Sequence, residues 1–334
     1  MIGFVLDAID DVVVFTTLDD PSRWFDFYVK RFPGCEKRIR NVSEYEPGEW
    51  DMTILLTDDD WAMRVGAIPD EKMLCIEHFH RLRRPGSEAL GRLATRRFAD
   101  RPELEWCIPT YNLFSARAGP KGQREAAKAS PKSITPSVQL PDASACRTQA
   151  QVKASDTNQN TRIVVTCIGD ASNLVVPPQT FADVVSRRFS NTDDIQFHVF
   201  RRHVKTELAG LGIDLVDHVN ESSVDLINHL QTSDYVMIMT GHQLEESHCR
   251  HFMSGAIPLA YATGCRLIMT SDMKREYALE SPLVVESDAY FELSRPNVCD
   301  IESVYEEAGG LIARRDDLLS KYLRYQKNAR TQVI

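Results

Sequence analysis

Hydrophobic and polar positions along this chain fall into blocks of two periods, and the clearest succession runs from Ser222 to Asp272. In SSVDLINHLQTSDYV, Val224, Ile227 and Leu230 recur at helical spacing, Ser222 or Ser223 is available as N-cap and Asp225 falls in the first turn. A helix is expected there. Tyr235 to Met239 (YVMIM) is an unbroken apolar run, the pattern of a strand buried on both faces of a parallel sheet. Polar residues then crowd together at Thr240, Gly241, His242, Gln243, Glu245, Glu246, Ser247 and His248. An apolar stretch follows to Gly264, a natural helix stop, and CRLIMTS restarts a strand. The whole is a βαβ crossover with a polar loop at the strand's carboxyl end, where ligands of open α/β sheets bind.

The same alternation extends over residues 161–334. RIVVTCIGD reads as a strand ending in Gly169 and Asp170, FADVVSRRF as a helix, IQFHVFRRH and IDLVDHV as strands, the second ending at His218. PLVVES is strand-like, and SVYEEAGGLIARRDDLLSKYLRYQ is a closing helix. Four or five parallel strands with intervening helices predict a Rossmann-like domain. Residues 1–115 predict a smaller α/β domain. Its strands are IGFVLDA, DVVVFTT, DMTILLT, KMLCIEHFHRLRR and LEWCIPTYNLF; its helices are the amphipathic PSRWFDFYVKRF and the stretch from Ser87 to Phe98. Between the two, residues 116–160 are rich in Pro, Ser, Lys and Gln and hold no aromatic residue, so a polar linker or large loop is expected. Its basic residues Arg117, Lys121, Arg124, Lys128 and Lys132 suit either a solvated spacer or contact with an anionic ligand. The expected fold class is α/β, with two Rossmann-like, doubly wound domains.

Composition narrows the function classes. The chain has 334 residues, 43% hydrophobic and 26% charged, as in a soluble globular protein with room for two domains. A net charge of -9 argues against a dedicated nucleic-acid binder, whose footprint would be basic. The eight cysteines stand singly, without a CxxC pair, which fits reduced, packed thiols rather than structural zinc. MIGFVLDAIDD lacks a basic leader region, and no apolar run approaches membrane-spanning length, so a cytoplasmic location is expected. No Gly-rich dinucleotide fingerprint follows any strand, which leaves nicotinamide and flavin chemistry without support.

The order of helix, SDYVMIM, short polar loop containing ES, small-residue helix ending in ATG, and CRLIMTSD resembles the C-terminal domain of GT-B glycosyltransferases. That resemblance covers roughly half the chain. It implies two such domains facing a cleft, with residues 161–334 binding a nucleotide sugar and residues 1–115 on the acceptor side. In that family the corresponding loop and helix start hold the donor's diphosphate and sugar. Retaining members often carry a spaced pair of glutamates across this loop and helix; the matching positions here are Met253 after Glu245, Ser254 after Glu246, or Leu259 if the register is set from Gly264. Retention or inversion is therefore not assigned.

A nucleotide sugar presents a diphosphate that needs donors or positive charge, and a ribose that needs a carboxylate. The resemblance implies Gly169, Asp170, His218, Thr240, Gly241, His242, Glu245, Glu246, Ser247 and His248 as donor-binding residues. Glu245 or Glu246 would take ribose hydroxyls, and Ser247 with the N–H groups of the helix start would take phosphate. Both glutamates also suit the plainer role of first-turn carboxylates that complement a helix dipole. In the first half, His78 and His80 stand two positions apart at the end of a strand and so on one face of it, where one of these histidines or Asp58 would act as general base on an acceptor hydroxyl.

ILLTDDDW supports a competing expectation. Asp58 and Asp60 form an Asp-x-Asp pattern that resembles the metal-binding signature of GT-A glycosyltransferases, in which Mn or Mg bridges the carboxylates and the diphosphate. Under the GT-B reading no metal or other cofactor is obligatory, and the partners are a nucleotide sugar and a glycan, protein or small-molecule acceptor, with no nucleic acid. A catalytically silent α/β binding scaffold is the rival from outside the enzymes.

Overall fold

A computed structural model describes residues 12–16, 34–46, 53–55, 73–77, 91–94, 162–168, 185–201, 212–238, 255–286 and 290–331, with positions 25, 29 and 49. The expected linker at 116–160 lies outside the described residues. The strands are β1 Val14–Thr16, β2 Ile39–Asn41, β3 Thr53–Leu55, β4 Met73–Glu77, β5 Gly91–Ala94, β6 Ile163–Ile168, β7 Ile195–Arg201, β8 Leu215–Val219, β9 Tyr235–Ile238, β10 Arg266–Met269 and β11 Leu283–Val284. Four helices are named: α1 Ser223–Thr232, α2 Ala256–Thr263, α3 Ser271–Tyr277 and α4 Val298–Thr331.

β6 to β11 form one six-stranded sheet in the order β11-β10-β9-β6-β7-β8, and every pairing in it is parallel. Numbered from β6, that order is 3-2-1-4-5-6, the Rossmann arrangement. The sequence led to an expectation of four or five strands; six are present. β11, only two residues long, completes the sheet beside β10 through the Ile268–Leu283 and Met269–Val284 register.

Register decides which side chains share a face. Val236, Ile238, Leu267 and Met269 lie on one face and pack with Leu230 of α1, Ile257, Ala260 and Tyr261 of α2, and Ile301, Val304 and Tyr305 of α4. Val165, Cys167, Phe197, Val199, Tyr235 and Met237 lie on the other, against Val185, Phe189 and Leu293. Right-handed crossovers account for the division. The chain moves one way across the sheet from β6 to β7, through the helical residues 185–188, and the opposite way from β8 through β9 to β10, through α1 and α2. Strands covered on both faces need apolar residues at consecutive positions, which is why YVMI and IVVTCI read as continuous runs.

Local signals set the helix ends. Ser222 caps α1, its side chain accepting from the Asp225 N–H at 3.1 Å. Gly264 ends α2 at φ 68°, and the Cys265 N–H returns to the Ala260 carbonyl at 2.9 Å. α3 was not anticipated from sequence, although Thr270 caps it and Asp272, Lys274 and Arg275 sit at the ends that suit its dipole.

In the first half, β1 and β2 pair in parallel, as do β3, β4 and β5. One expectation is corrected there. The stretch from Ser87 to Phe98, read as a helix, contains β5, which pairs with β4 from Leu74–Gly91 to Glu77–Ala94. Ala, Leu and Arg are good helix formers, but strand pairing with a neighbour overrides so weak a local preference.

Candidate functional site

All six strands of the large sheet run the same way, so their carboxyl ends share one edge. Strand order reverses between β6 and β9, which are neighbours through Val165–Tyr235 to Ile168–Ile238. In open α/β sheets such a reversal is where ligands bind, outside the carboxyl ends of the two strands. Gly169 and Asp170 directly follow Ile168, the last residue of β6, and the Thr240 to His248 segment begins two positions after Ile238, the last residue of β9. The candidate stretches chosen from sequence thus follow the two strands that flank the reversal.

Of the candidate residues, His218 is described. Gly169, Asp170, Thr240, Gly241, His242, Glu245, Glu246, Ser247, His248, Asp58, Asp60, His78 and His80 lie outside the described residues.

The register of β6 and β9 is fixed at their amino ends by buried polar groups. Asp234 accepts the Val164 N–H on Oδ2 at 2.8 Å while its own N–H donates to the Val164 carbonyl at 3.0 Å. Thr166 and Ser233, both fully buried, are joined by a 2.7 Å hydroxyl pair. These bonds hold together the two strands from which the candidate loops emerge.

His218 sits one residue before the end of β8, the edge strand, separated from β6 by two strand spacings of roughly 5 Å each. Its ring stacks on Phe200 with centroids 4.1 Å apart, and it lies beneath α1 together with His198 of β7 and His229 of α1. His198 Nδ1 meets His218 Nε2 at 2.8 Å, and His218 Nδ1 meets Glu221 Oε1 at 2.7 Å. Burial, then the neighbouring His218, lowers the His198 pKa to about 4, with Glu221 pulling the other way. Burial, then His198 and His218, lowers that of His229 to about 4. Sequence reasoning named His218 alone. The partners were signalled by Gln196, His198 and Phe200, which alternate on β7 with the buried Phe197 and Val199.

Two further polar groups lie at the carboxyl edge and were not singled out from sequence. Thr270 follows β10, and Glu286, just past β11, accepts the Ser271 N–H at 3.1 Å. The ES of PLVVES was the available signal. Among the described residues no set of three or more His, Cys, Asp and Glu side chains is arranged to hold a metal ion, and no helix is long and apolar enough to cross a membrane.

The geometry defines an α/β protein built on an all-parallel sheet of Rossmann order. No family model matches the chain, and no curated protein matches it. Solved structures similar to it in fold include the glycotransferase of kitacinnamycin, at 14% identity and TM-score 0.26 over 52% of this chain and 44% of that one. Others are the DNA-modifying enzyme beta-glucosyltransferase, at 10% and 0.38 over 87% and 83%, and S. aureus MnaA with UDP, at 11% and 0.41 over 98% and 93%. The chain spans less than half the length of the kitacinnamycin protein it matches.

Proposed function

We propose that the chain is a glycosyltransferase of GT-B type, which binds a nucleotide sugar at the carboxyl edge of β6 and β9 and transfers its sugar to an acceptor hydroxyl. The observation that carries this reading is the reversal of strand order between β6 and β9, because both candidate loops of residues 161–334 follow those two strands. On this reading Gly169 lets backbone approach the donor closely, Ser247 and N–H groups of the segment after β9 receive the diphosphate, and Glu245 or Glu246 receives ribose or sugar hydroxyls. Residues 1–115 supply the acceptor side. There Asp58, His78 or His80 takes the proton of the acceptor hydroxyl as its oxygen bonds to the anomeric carbon. The bond from that carbon to the diphosphate oxygen breaks, and the nucleoside diphosphate leaves with the electron pair.

Calorimetric titration with a panel of nucleoside diphosphates and their sugars, with and without manganese, tests the proposal. Saturable binding of at least one uridine or guanosine diphosphate without metal is expected, in the range of about 1 μM to 1 mM usual for enzyme substrates. Absence of binding across the panel overturns it. Binding that requires manganese and is lost on Asp58→Asn or Asp60→Asn replaces it with the metal-dependent GT-A reading.

A further inference from the structure

His198 and His218, beneath α1, form a hydrogen-bonded chain whose proton content can be counted. Gln196 fixes one end: its amide Nε2 donates to Asp214 Oδ2 at 3.4 Å, so its Oε1 faces His198 Nε2, at 3.0 Å, as an acceptor. His198 Nε2 therefore carries a hydrogen. The chain continues through His198 Nδ1 to His218 Nε2 and through His218 Nδ1 to the Glu221 carboxylate. That makes three gaps, each requiring one hydrogen. Two neutral rings supply two, so the network is complete with one added proton, held between His218 Nδ1 and the Glu221 carboxylate. A second added proton has no place. It would put two N–H groups against each other in the 2.8 Å gap between His198 and His218.

His229 closes the cluster from above. Its ring lies 4.2 Å from that of His198, centroid to centroid, and its buried Nε2 has no hydrogen-bond partner among the described residues. Among the described residues, the polar and charged groups around the cluster are Gln196 and His198 from β7, His218 from β8, Glu221 in the turn before α1, Asp225 and His229 from α1, and Thr166 with Ser233 at the β6 side. Asp214 at the far end is paired with Arg162, and Arg201 and Asp217 pair on the opposite face of the sheet. Among the described residues Glu221 is the one carboxylate bonded to a ring of the cluster, and it is already used by His218.

We propose that this cluster is a proton-operated clasp, holding α1 on the sheet edge with a single bound proton near neutral pH and releasing it when acid supplies more. Protons from solvent add to His198 Nδ1 and to His229 Nε2, the His198–His218 hydrogen bond breaks, and like-charged rings are left stacked between α1 and β7. The direction agrees with the depressed pKa values. His198 and His229 titrate at about 4 in the fold and near 6.5 in an unfolded chain. The unfolded or undocked form therefore binds protons first as the pH falls. Docking of α1 is complete above about pH 6.5 and is lost progressively toward about pH 4.

Nitrogen-15 NMR of the histidine rings in the full chain tests the proton count directly. At about pH 7, His198 is expected as the Nε2–H tautomer, with a hydrogen on His218 Nε2 directed at His198 Nδ1. Hydrogen exchange then tests the release: protection of the Ile227 and Leu230 amides in α1 should fall at least ~10-fold relative to Leu267 and Ile268 in β10 between about pH 6.5 and about pH 4.5. The double variant His198→Gln, His229→Leu keeps a donor and an acceptor at the first position and takes up no proton at either, so its α1 protection should not respond to acid. A His218 without a hydrogen on Nε2, an Nδ1–H tautomer of His198, parallel loss of α1 and β10 protection, or an unchanged acid response in the variant each overturns the proposal. Should the variant fail to fold, ring titration and exchange in the unmodified chain decide alone.

Discussion

The contact between Thr166 and Ser233 offers a sharp test of how β6 and β9 are held. Ser233 Oγ donates to the His229 carbonyl at 3.0 Å and lies 2.7 Å from Thr166 Oγ1. A hydroxyl has one hydrogen, so with Ser233 committed to the carbonyl, Thr166 must be the donor of the pair. The two truncations are then unequal. Thr166→Val is nearly isosteric and leaves every remaining donor satisfied, so it removes one hydrogen bond and should cost about 0.5–1.5 kcal/mol. Ser233→Ala removes two bonds and strands the Thr166 hydroxyl, which is 0% exposed, without an acceptor. Its cost should be about 2–4 kcal/mol, the sum of a lost bond and a buried unsatisfied donor. In the double variant valine removes the stranded hydroxyl, so the total should fall short of the sum of the singles by about 1–2 kcal/mol. Urea denaturation of the four proteins, compared at equal slope, measures the cycle. The reasoning fails if Thr166→Val is the more damaging single change, or if the two costs add to within about 0.3 kcal/mol.

Three other outcomes are expected. Gly264→Ala forces a side chain into a left-handed position at φ 68° and drives its Cβ into the buried Tyr305 ring, so stability should drop by about 2–4 kcal/mol in a denaturant melt; a loss under about 0.5 kcal/mol contradicts the packing described. Glu307 of α4 accepts from the Tyr261 hydroxyl at 2.6 Å, the Ser281 hydroxyl at 2.6 Å, and the N–H groups of Glu280 at 2.6 Å and Ser281 at 2.9 Å. Glu307→Ala should cost about 2–4 kcal/mol in thermal or urea unfolding, whereas the same change at its exposed neighbour Glu306 should stay within about 0.5 kcal/mol, and equal effects would refute the assignment. Glu246→Ala, on the proposed function, removes a charge-assisted acceptor that contributes ~1.5–3 kcal/mol and should weaken donor binding by roughly ten-fold to a hundred-fold in calorimetry. Folding should change by only about 0.3–1 kcal/mol, and unchanged affinity with a lowered melting temperature would return Glu246 to a helix-dipole role.

What was legible in the sequence follows from burial. β6, β9 and β10 are covered on both faces, so hydrophobicity must be continuous along them, and their limits could be read to within a residue or two. α1 and α2 were legible because their ends carry chemical stops, Ser222 and Gly264. β5 was not, because Gly91 to Ala94 becomes a strand only through pairing with β4, and pairing is a property of two segments rather than one. α3 was missed for a related reason: seven residues are too few to show a helical period, and only its caps announced it. For His218, the sequence located the residue near a strand end, but the face its ring occupies depends on the Phe200–His218 register with β7.

Strand order lay furthest beyond the sequence, and it gives the candidate residues their different weights. From sequence alone, Gly169, His218 and Thr240 are equivalent, each near the carboxyl end of a predicted strand. Pairing separates them. β6 and β9 are adjacent although β7, β8 and α1 intervene in the chain, so the segments opening with Gly169 and with Thr240 follow neighbouring strands where connections diverge. β8 is displaced to the edge, and there His218 closes a hydrogen-bonded chain with His198 and Glu221 beneath α1. One ordering of strands thus puts the first two beside the reversal, where the proposed donor site lies, and His218 at the sheet edge against α1. Since α1 runs through Ser233 directly into β9, a proton taken up at the edge bears on the same strand from which the proposed donor loop departs.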